Sequence, residues 1–525
     1  MMNEYKQTLE EVNNIQQTEN GANGYSKSGN NLVDLNFTIP SNHNNVSLEN
    51  IQKFVQCLKE DLVTTVKWMF FLRDIREGLG ERMSFVNLFM ALYAYDEDAA
   101  IKVLPLIPEY GRWKDVIDIL DRTMDGSNLY NAICVLIGEQ LKEDILNMKD
   151  VKSVSLLAKW LPSINASKKA RKTAKRICRS LEVFFAEYRK LLSALRKYID
   201  VTEVKTCGGN WNEIDYNKVS SNANSRYLKA FMKHDPERRT KYLEDLAKPL
   251  VTGAVMHASN LYPHEVYAKY NNVGTYGADV VADPGIEALW DNLKDIPSTG
   301  NTMVVCDGSG SMTGHINGSN IMAINVARSL AVFFSERGKG EFKDKVIEFS
   351  STPRYIDLSK CKTLADKCNV MSQYDDCSNT NLEKVFDLLL ATAIKNNLPQ
   401  DELPTRILIT SDMEFDRACE FSTTGWGDSG QFSYDEVMKK YQTLFQTIKL
   451  RWLSAGYQMP EIVFWNVNSR TNTIPVSSNE CGVILVSGFS VNNVKMILSG
   501  EINPWLALKS VLDSERYDAI EEALK

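Results

Sequence analysis

The sequence predicts two folded parts, an all-α part followed by a doubly wound α/β part. Three observations predict this. From about Ser47 to Leu293, apolar residues recur at three- and four-residue spacing with no strand run between them. After Pro297-Ser298-Thr299-Gly300, short apolar strand runs alternate with amphipathic helices, the pattern of a mostly parallel sheet. The first 45 residues are instead rich in Asn, Gln, Ser and Gly and poor in aromatics, so they bury too little apolar surface to offset chain entropy. The expected organisation is a flexible polar arm at 1–45, of which a short ordered stretch such as Leu32 to Ile39 docks onto the body, a helical part at 46–295 and an α/β part at 296–525.

At 525 residues the chain has room for two to four domains and an ample core. Its formal net charge of -7 gives no global signal for nucleic acid, so any basic surface must be local. No apolar run approaches the roughly 18 residues needed to cross a bilayer, and no membrane association is expected. The N-terminus, MMNEYKQTLEEVNNIQQTEN, is polar and acidic, unlike a signal or transit peptide. The ten cysteines are scattered singly, which fits reduced thiols in a cytoplasmic compartment. Cys361, Cys368 and Cys377 come nearest to a cluster, but spacings of seven and nine match no zinc pattern.

The helical part opens with Asn50-IQKFVQCLKEDLVTTVKWMFFLRDI and continues through SFVNLFMALYAY, KDVIDILDR, LYNAICVLIGEQLKEDILNM, SVSLLAKWLP, SLEVFFAEYRKLLSALRKYI and YLEDLAKPLVTGAV. Many helices in series suggest an α-solenoid or a ring of antiparallel helix pairs. Beyond residue 300 the expected order is strand Thr302-MVVC, helix IMAINVARSLAVFFSER, strands KVIEFS and RYIDL, and helix NLEKVFDLLLATAIKNN. Strand TRILITSD, helix DEVMKKYQTLFQTIKLRWLSAG, strands EIVFWNV and GVILVSG, and closing helices from Val491 and Pro504 complete it. Ligands of such sheets sit beyond the carboxyl ends of the strands.

A candidate metal site falls there. Asp307-Gly308-Ser309-Gly310-Ser311 follows the first strand, so one turn carries a carboxylate and two hydroxyls. These are hard oxygen donors suited to Mg²⁺, with Mn²⁺ or Ca²⁺ as alternatives. Thr380, just before a helix, and Asp412, at a strand end, should reach the same point. The competing reading is that Ser309 and Ser311 cap the following helix and Asp412 caps a turn. A nucleophilic serine is a third reading, but Asp307-Gly308-Ser309-Gly310-Ser311 is not a G-x-S-x-G elbow and no histidine lies suitably downstream. His315 is the only histidine after His264 and reads as a solvated loop residue.

A candidate nucleic-acid surface lies in the helical part. Between Lys152 and Asp200 there are thirteen Lys or Arg against three acids, in a chain that is acidic overall. The densest run places Lys168, Lys169, Arg171, Lys172, Lys175, Arg176 and Arg179 on one helix, with Trp160, Tyr188 and Tyr198 nearby. Basic helices beside aromatics are an electrostatic footprint for phosphates. A solvated basic face paired with the acidic remainder of the chain is the alternative, and the aromatics by themselves read as core.

Three further phrases stand out: Phe71-LRDIREGLGER82, Ile107-PEYGRWKDVIDIL120 and Leu261-YPHEVY267. The charged cluster from Arg73 to Arg82 reads as an ion-pair network rather than a site, and His264 as a hydrogen-bonded packing residue. Together with Val304-Val-Cys-Asp-Gly-Ser-Gly-Ser-Met312, these phrases resemble the TROVE-type (Ro) proteins, a helical HEAT-like part joined to a von Willebrand A-type domain. They look closer still to a domain-of-unknown-function family of viral, plant and protist proteins in which R-x-G-x-GER, GRW-x-D and PHE recur before the metal loop. The resemblance spans about Asn50 to the C-terminus. It implies a metal-ion-dependent adhesion site at Asp307, Ser309, Ser311, Thr380 and Asp412, and a helical ring that binds small structured or single-stranded RNA.

The expectation is a non-enzymatic, RNA-binding ribonucleoprotein scaffold. The alternative is an assembly factor without RNA that binds an acidic protein partner through the metal. A metal-dependent hydrolase is the least supported class, since no paired base or phosphate loop is evident.

Overall fold

The computed structural model describes residues 13–43, 45–270, 279–317, 319–349, 352–373, 381–416 and 443–525. The chain divides into two compact units, neither continuous in sequence: residues 1–46 with 261–513, and 47–260 with 514–525. This corrects the boundaries drawn from the sequence. Residues 261–295 build the α/β unit rather than the helical one, and the last twelve residues belong to the helical unit.

The α/β unit is organised by a six-stranded mixed sheet. Its strands are β3 (Thr302–Asp307), β4 (Lys345–Phe349), β5 (Arg354–Asp357), β6 (Arg406–Ser411), β7 (Glu461–Asn466) and β8 (Val483–Ser487). A separate two-stranded hairpin, β1 (Ile15–Gln17) with β2 (Asn23–Tyr25), precedes them. The spatial order is β5-β4-β3-β6-β7-β8, parallel throughout except for antiparallel β5 at the edge. The chain leaves β3 toward β4 and β5 and returns to β6 on the other side. That reversal opens a crevice at the carboxyl ends of β3 and β6.

All six residues of β3 are buried, as expected of a central strand covered on both faces. Helix Ala323–Glu336 packs on β3 and buries thirteen of its fourteen residues, so it is covered nearly all round. Beneath it, Arg328 reaches Glu348 of β4 at 2.9 Å, a charge pair in which both side chains are only 3% exposed.

The stretch expected to dock, residues 32–39, does so, and the rest of residues 13–43 is structured as well rather than a flexible arm. The Asn30 side chain accepts from the amides of Leu32 and Val33 and starts helix Asn31–Thr38. That helix buries Leu32, Val33, Leu35 and Phe37. It covers the carboxyl ends of two strands: Asn466 donates to the Phe37 carbonyl at 3.0 Å and Ser487 to that of Asn36 at 2.6 Å. Low hydrophobicity misleads here because side chains at the strand ends, instead of water, satisfy the backbone carbonyls of the segment.

In the helical unit, Ser and Asp residues punctuate the series. Ser47, Asp61, Asp96, Ser127 and Ser167 each accept a backbone amide two or three residues into the helix they precede. The run beginning at Asn50 is therefore two helices, Leu48–Glu60 and Leu62–Arg73, broken at Asp61 (φ -154°, ψ 99°). The second buries nine of its twelve residues, among them Trp68, Phe70, Phe71 and Leu72, each contributing about 1.5–3 kcal/mol by burial.

The first two of the three phrases, residues 71–82 and 107–120, turn out to be joints of this unit, whereas residues 261–267 belong to the α/β unit. Arg73 and Asp115 form a buried pair at 2.6 Å, and Asp74 is held by Arg516 at 2.9 Å. A Cβ on Gly111 would lie 2.5 Å from an Asp115 carboxylate oxygen, so glycine is required for the turn to approach that pair. From the C-terminal segment, the Tyr517 ring stacks on Tyr110 (5.7 Å between centroids, 16° between planes) and meets Phe71 edge-on. The charged cluster at 73–82 is thus tied into packing.

Candidate metal centre

Strand register brings the candidate ligands together. Cys306 of β3 lies beside Thr410 of β6, so Asp307 and Ser411-Asp412 leave the sheet side by side at the crevice. The Asp307 carboxylate accepts from the Ser309 amide at 2.9 Å and from the Ser411 hydroxyl at 2.5 Å. The hydroxyls of Ser309 and Ser311 are 3.0 Å apart, and that of Ser311 also bonds the Asp412 carboxyl. A Cβ on Gly308 would fall 2.5 Å from a Glu348 carboxylate oxygen, so the loop can pass over the buried Arg328–Glu348 pair only as glycine.

Neither Asp307 nor Asp412 has any exposed surface. Burial pushes the Asp307 carboxyl up to about 7, with the charge of Asp412 adding to the effect. Burial likewise pushes Asp412 up to about 6, opposed by its hydrogen bonds from Ser311 and the Glu414 amide. Two buried acids beside each other are costly when ionised unless a cation shares them. The donor set, two carboxylates and two hydroxyls, therefore fits a hard divalent ion.

The capping alternative is met in part. Ser309 precedes the short turn Gly310–Thr313 but makes no side-chain cap to it, whereas Asp412 accepts from the Glu414 amide at 3.2 Å. Thr380, the remaining ligand expected from the sequence, lies outside the described residues, as does Cys377 of the cysteine trio. Among the described residues, no three His, Cys, Asp or Glu side chains converge on a point. His315 is exposed on its loop.

Sequence reasoning missed Glu414 and Arg470. Glu414 is fully buried, and one of its oxygens accepts from the amides of Arg470 and Thr471 at 2.8 Å each. Arg470 follows β7 and extends to Asp412 at 3.5 Å. Neither belongs to a motif, and only the parallel pairing of β6 with β7 brings them to the crevice.

The basic run forms helix Lys168–Ser180 in the helical unit. Lys168, Lys169, Arg171, Lys172, Lys175 and Arg179 are exposed, with Lys169 near Asp121 at 3.2 Å and Arg179 near Asp125 at 3.6 Å. Arg176 departs from the expected set because it is buried. It donates to Asp125, to the Leu120 carbonyl at 2.6 Å and to the Thr123 carbonyl at 2.8 Å, and lies over the Tyr130 ring. Tyr188 is core and donates to Pro162, while Trp160 is covered by Arg112 and Lys159.

His264 is a packing residue but not a hydrogen-bonded one at Nδ1, which has no partner among the described residues. Its ring stacks on Tyr262 and meets Phe489 edge-on, and burial pushes its pKa down to about 3. Among the described residues no helix is long and apolar enough to cross a membrane.

Comparison with known proteins places these features in context. Residues 301–518 match a family model described as a domain of unknown function, DUF7788. Residues 18–129 and 165–295 match a second such model, DUF2828. An uncharacterized protein of Acanthamoeba polyphaga mimivirus is 27% identical over 537 residues, covering 95% of this chain and 87% of its own. Among solved structures, the Ro (RSR) protein of Deinococcus radiodurans aligns over 91% of this chain and 94% of its own, at 11% identity and a TM-score of 0.37.

Proposed function

We propose that the protein is a non-enzymatic binding scaffold whose α/β unit, a von Willebrand A-type domain, captures an acidic protein partner through Mg²⁺. Asp307, Ser309, Ser311 and Asp412 would hold the ion, with Thr380 as a further ligand. The ion supplies an open coordination position that a partner's Asp or Glu completes. One observation carries this reading: two fully buried, mutually repelling carboxylates share a crevice with two converging hydroxyls. In this reading the residues serve capture rather than catalysis, since both carboxylates are committed to the ion.

Calorimetric titration with Mg²⁺ tests it. One ion per chain should bind the native protein and none should bind Asp307→Ala, with helical circular dichroism unchanged. Equal binding by the two proteins would sink the reading.

A second reading, RNA binding by the helical unit, is favoured by one observation. Lys168, Arg171, Lys172, Lys175 and Arg179 are exposed at helical spacing and form a single stripe. Such a stripe suits phosphates, whose neutralisation releases counterions and makes binding salt-dependent. Nucleic acid retained through purification, then sequenced after washes at rising salt, tests this. Protein free of nucleic acid at low salt would remove it.

A further inference from the structure

The Glu414 carboxylate, two residues beyond Asp412, clamps two separate segments at once. One oxygen accepts from the amides of Arg470 and Thr471, and the other from the Glu19 amide at 2.8 Å. The N-terminal segment is fastened further by Asn20 donating to the Glu414 carbonyl and Thr18 to that of Phe415, each at 2.6 Å. Gln16 donates to the Thr471 carbonyl at 2.7 Å. The clamp thereby fixes where the side chains of Glu19 and Arg470 begin, but not where they end. Both are about half exposed, at 53% and 44%, while Asp412 is wholly buried.

The Arg470 guanidinium stands between two acids. The same Nη2 atom is 2.6 Å from Glu19 and 3.5 Å from Asp412. It is the positive charge that approaches the paired carboxylates most directly among the contacts described, and it approaches the one that a cation would need. A guanidinium and a divalent ion cannot both sit close to Asp412 without strong mutual repulsion.

We propose that Arg470 is an electrostatic gate on the cation site, drawn toward Asp412 when the site lacks its ion and held back by Glu19. The proposal rests on the reading of Asp307 and Asp412 as ion ligands. Arg470 weakens resting affinity for Mg²⁺, and Glu19 restores part of it by pairing with the guanidinium. An acidic group on a partner that displaced Glu19 would find the ion and Arg470 side by side, giving two positive anchors for one acidic patch. Loading of the ion and capture of the partner are then coupled through a side chain that does not ligate the ion.

The test is Mg²⁺ affinity of the full chain, by calorimetry, for the native protein, Arg470→Gln, Glu19→Gln and the double variant. Both side chains are partly exposed and their backbone bonds to Glu414 survive, so thermal unfolding should confirm that all four fold. Arg470→Gln should bind Mg²⁺ roughly tenfold more tightly. Glu19→Gln should bind about threefold more weakly, and should change nothing further once Arg470 is gone. An unchanged or weakened affinity in Arg470→Gln overturns the gate. So does a Glu19→Gln loss that persists in the double variant, because that would be a charge effect acting on the ion directly. Asp307→Ala separates the two levels of the argument. If native protein binds Mg²⁺ and Asp307→Ala does not, an absent Arg470 pattern refutes the gate alone. If no protein of the set binds Mg²⁺, the cation site fails and the gate with it.

Discussion

Replacing Asp307 by Asn should stabilise the ion-free protein at alkaline pH while abolishing its response to Mg²⁺. The carboxyl titrates near 3.8 in an unfolded chain and at about 7 in the fold, because burial and Asp412 oppose its charge. Between those values the folded state holds a proton that the unfolded state has released. Stability attributable to this group is therefore full below about pH 4 and falls as pH rises to about 7. The gap corresponds to ~4 kcal/mol at pH 8. Asn keeps the volume and can still accept from the Ser309 amide, so most of the geometry survives. Urea unfolding in EDTA should find Asp307→Asn more stable than native protein by about 2–4 kcal/mol at pH 8 and nearly equal at pH 4. Saturating Mg²⁺ should stabilise native protein by about 2.7 kcal/mol at a hundredfold excess over the dissociation constant, and leave Asp307→Asn unmoved. A variant that is less stable than native protein at pH 8 in EDTA, or that gains equally from Mg²⁺, would refute the electrostatic account of this site.

Three other outcomes follow from the structure. Charge reversal at Lys168, Lys172 and Lys175 should weaken RNA binding and lower the salt slope by about one per residue, whereas Arg176→Ala should instead cost about 2–4 kcal/mol of stability in a denaturation assay. His264 is neutral in the fold, with a pKa of about 3 against 6.5 in the unfolded chain, so its contribution is complete above pH 6.5 and declines as pH falls toward 3. His264→Phe should move the acid-unfolding midpoint to lower pH; an unmoved midpoint would show that other groups set it. Tyr517→Ala removes a fully buried ring between Tyr110 and Phe71 and should destabilise the helical unit by about 3–5 kcal/mol, read as a fall in its unfolding temperature.

Much of the architecture was legible because it is written in local signals. The strand runs beginning at Thr302, Lys345, Arg406, Glu461 and Val483 are short and apolar, and each is bounded by turn or helix signals, so their identity survives without tertiary information. The Asp307-Gly308-Ser309-Gly310-Ser311 spacing is likewise local, since one turn carries all three donors. Ser47, Asp61, Asp96, Ser127 and Ser167 mark helix starts through bonds that span two or three residues.

What the sequence could not decide are the properties created by long-range pairing. Composition called residues 13–43 an arm, yet their polar groups close strand ends more than 400 residues away along the chain. Seven basic residues looked equivalent in the run from Lys168 to Arg179. Helical phase and the neighbouring turn at Leu120–Asp125 then buried Arg176 and left the other six exposed. Asp412 was readable as a candidate ligand, but the Arg470 beside it was not, because register between β6 and β7 sets that proximity. The sequence by itself determined which segments form helices and strands and which loop carries oxygen donors, because those depend on neighbours within a few residues. The tertiary structure alone decided which charges are dry, which are paired and which remain free to meet a ligand, because dielectric and distance are properties of the packed chain.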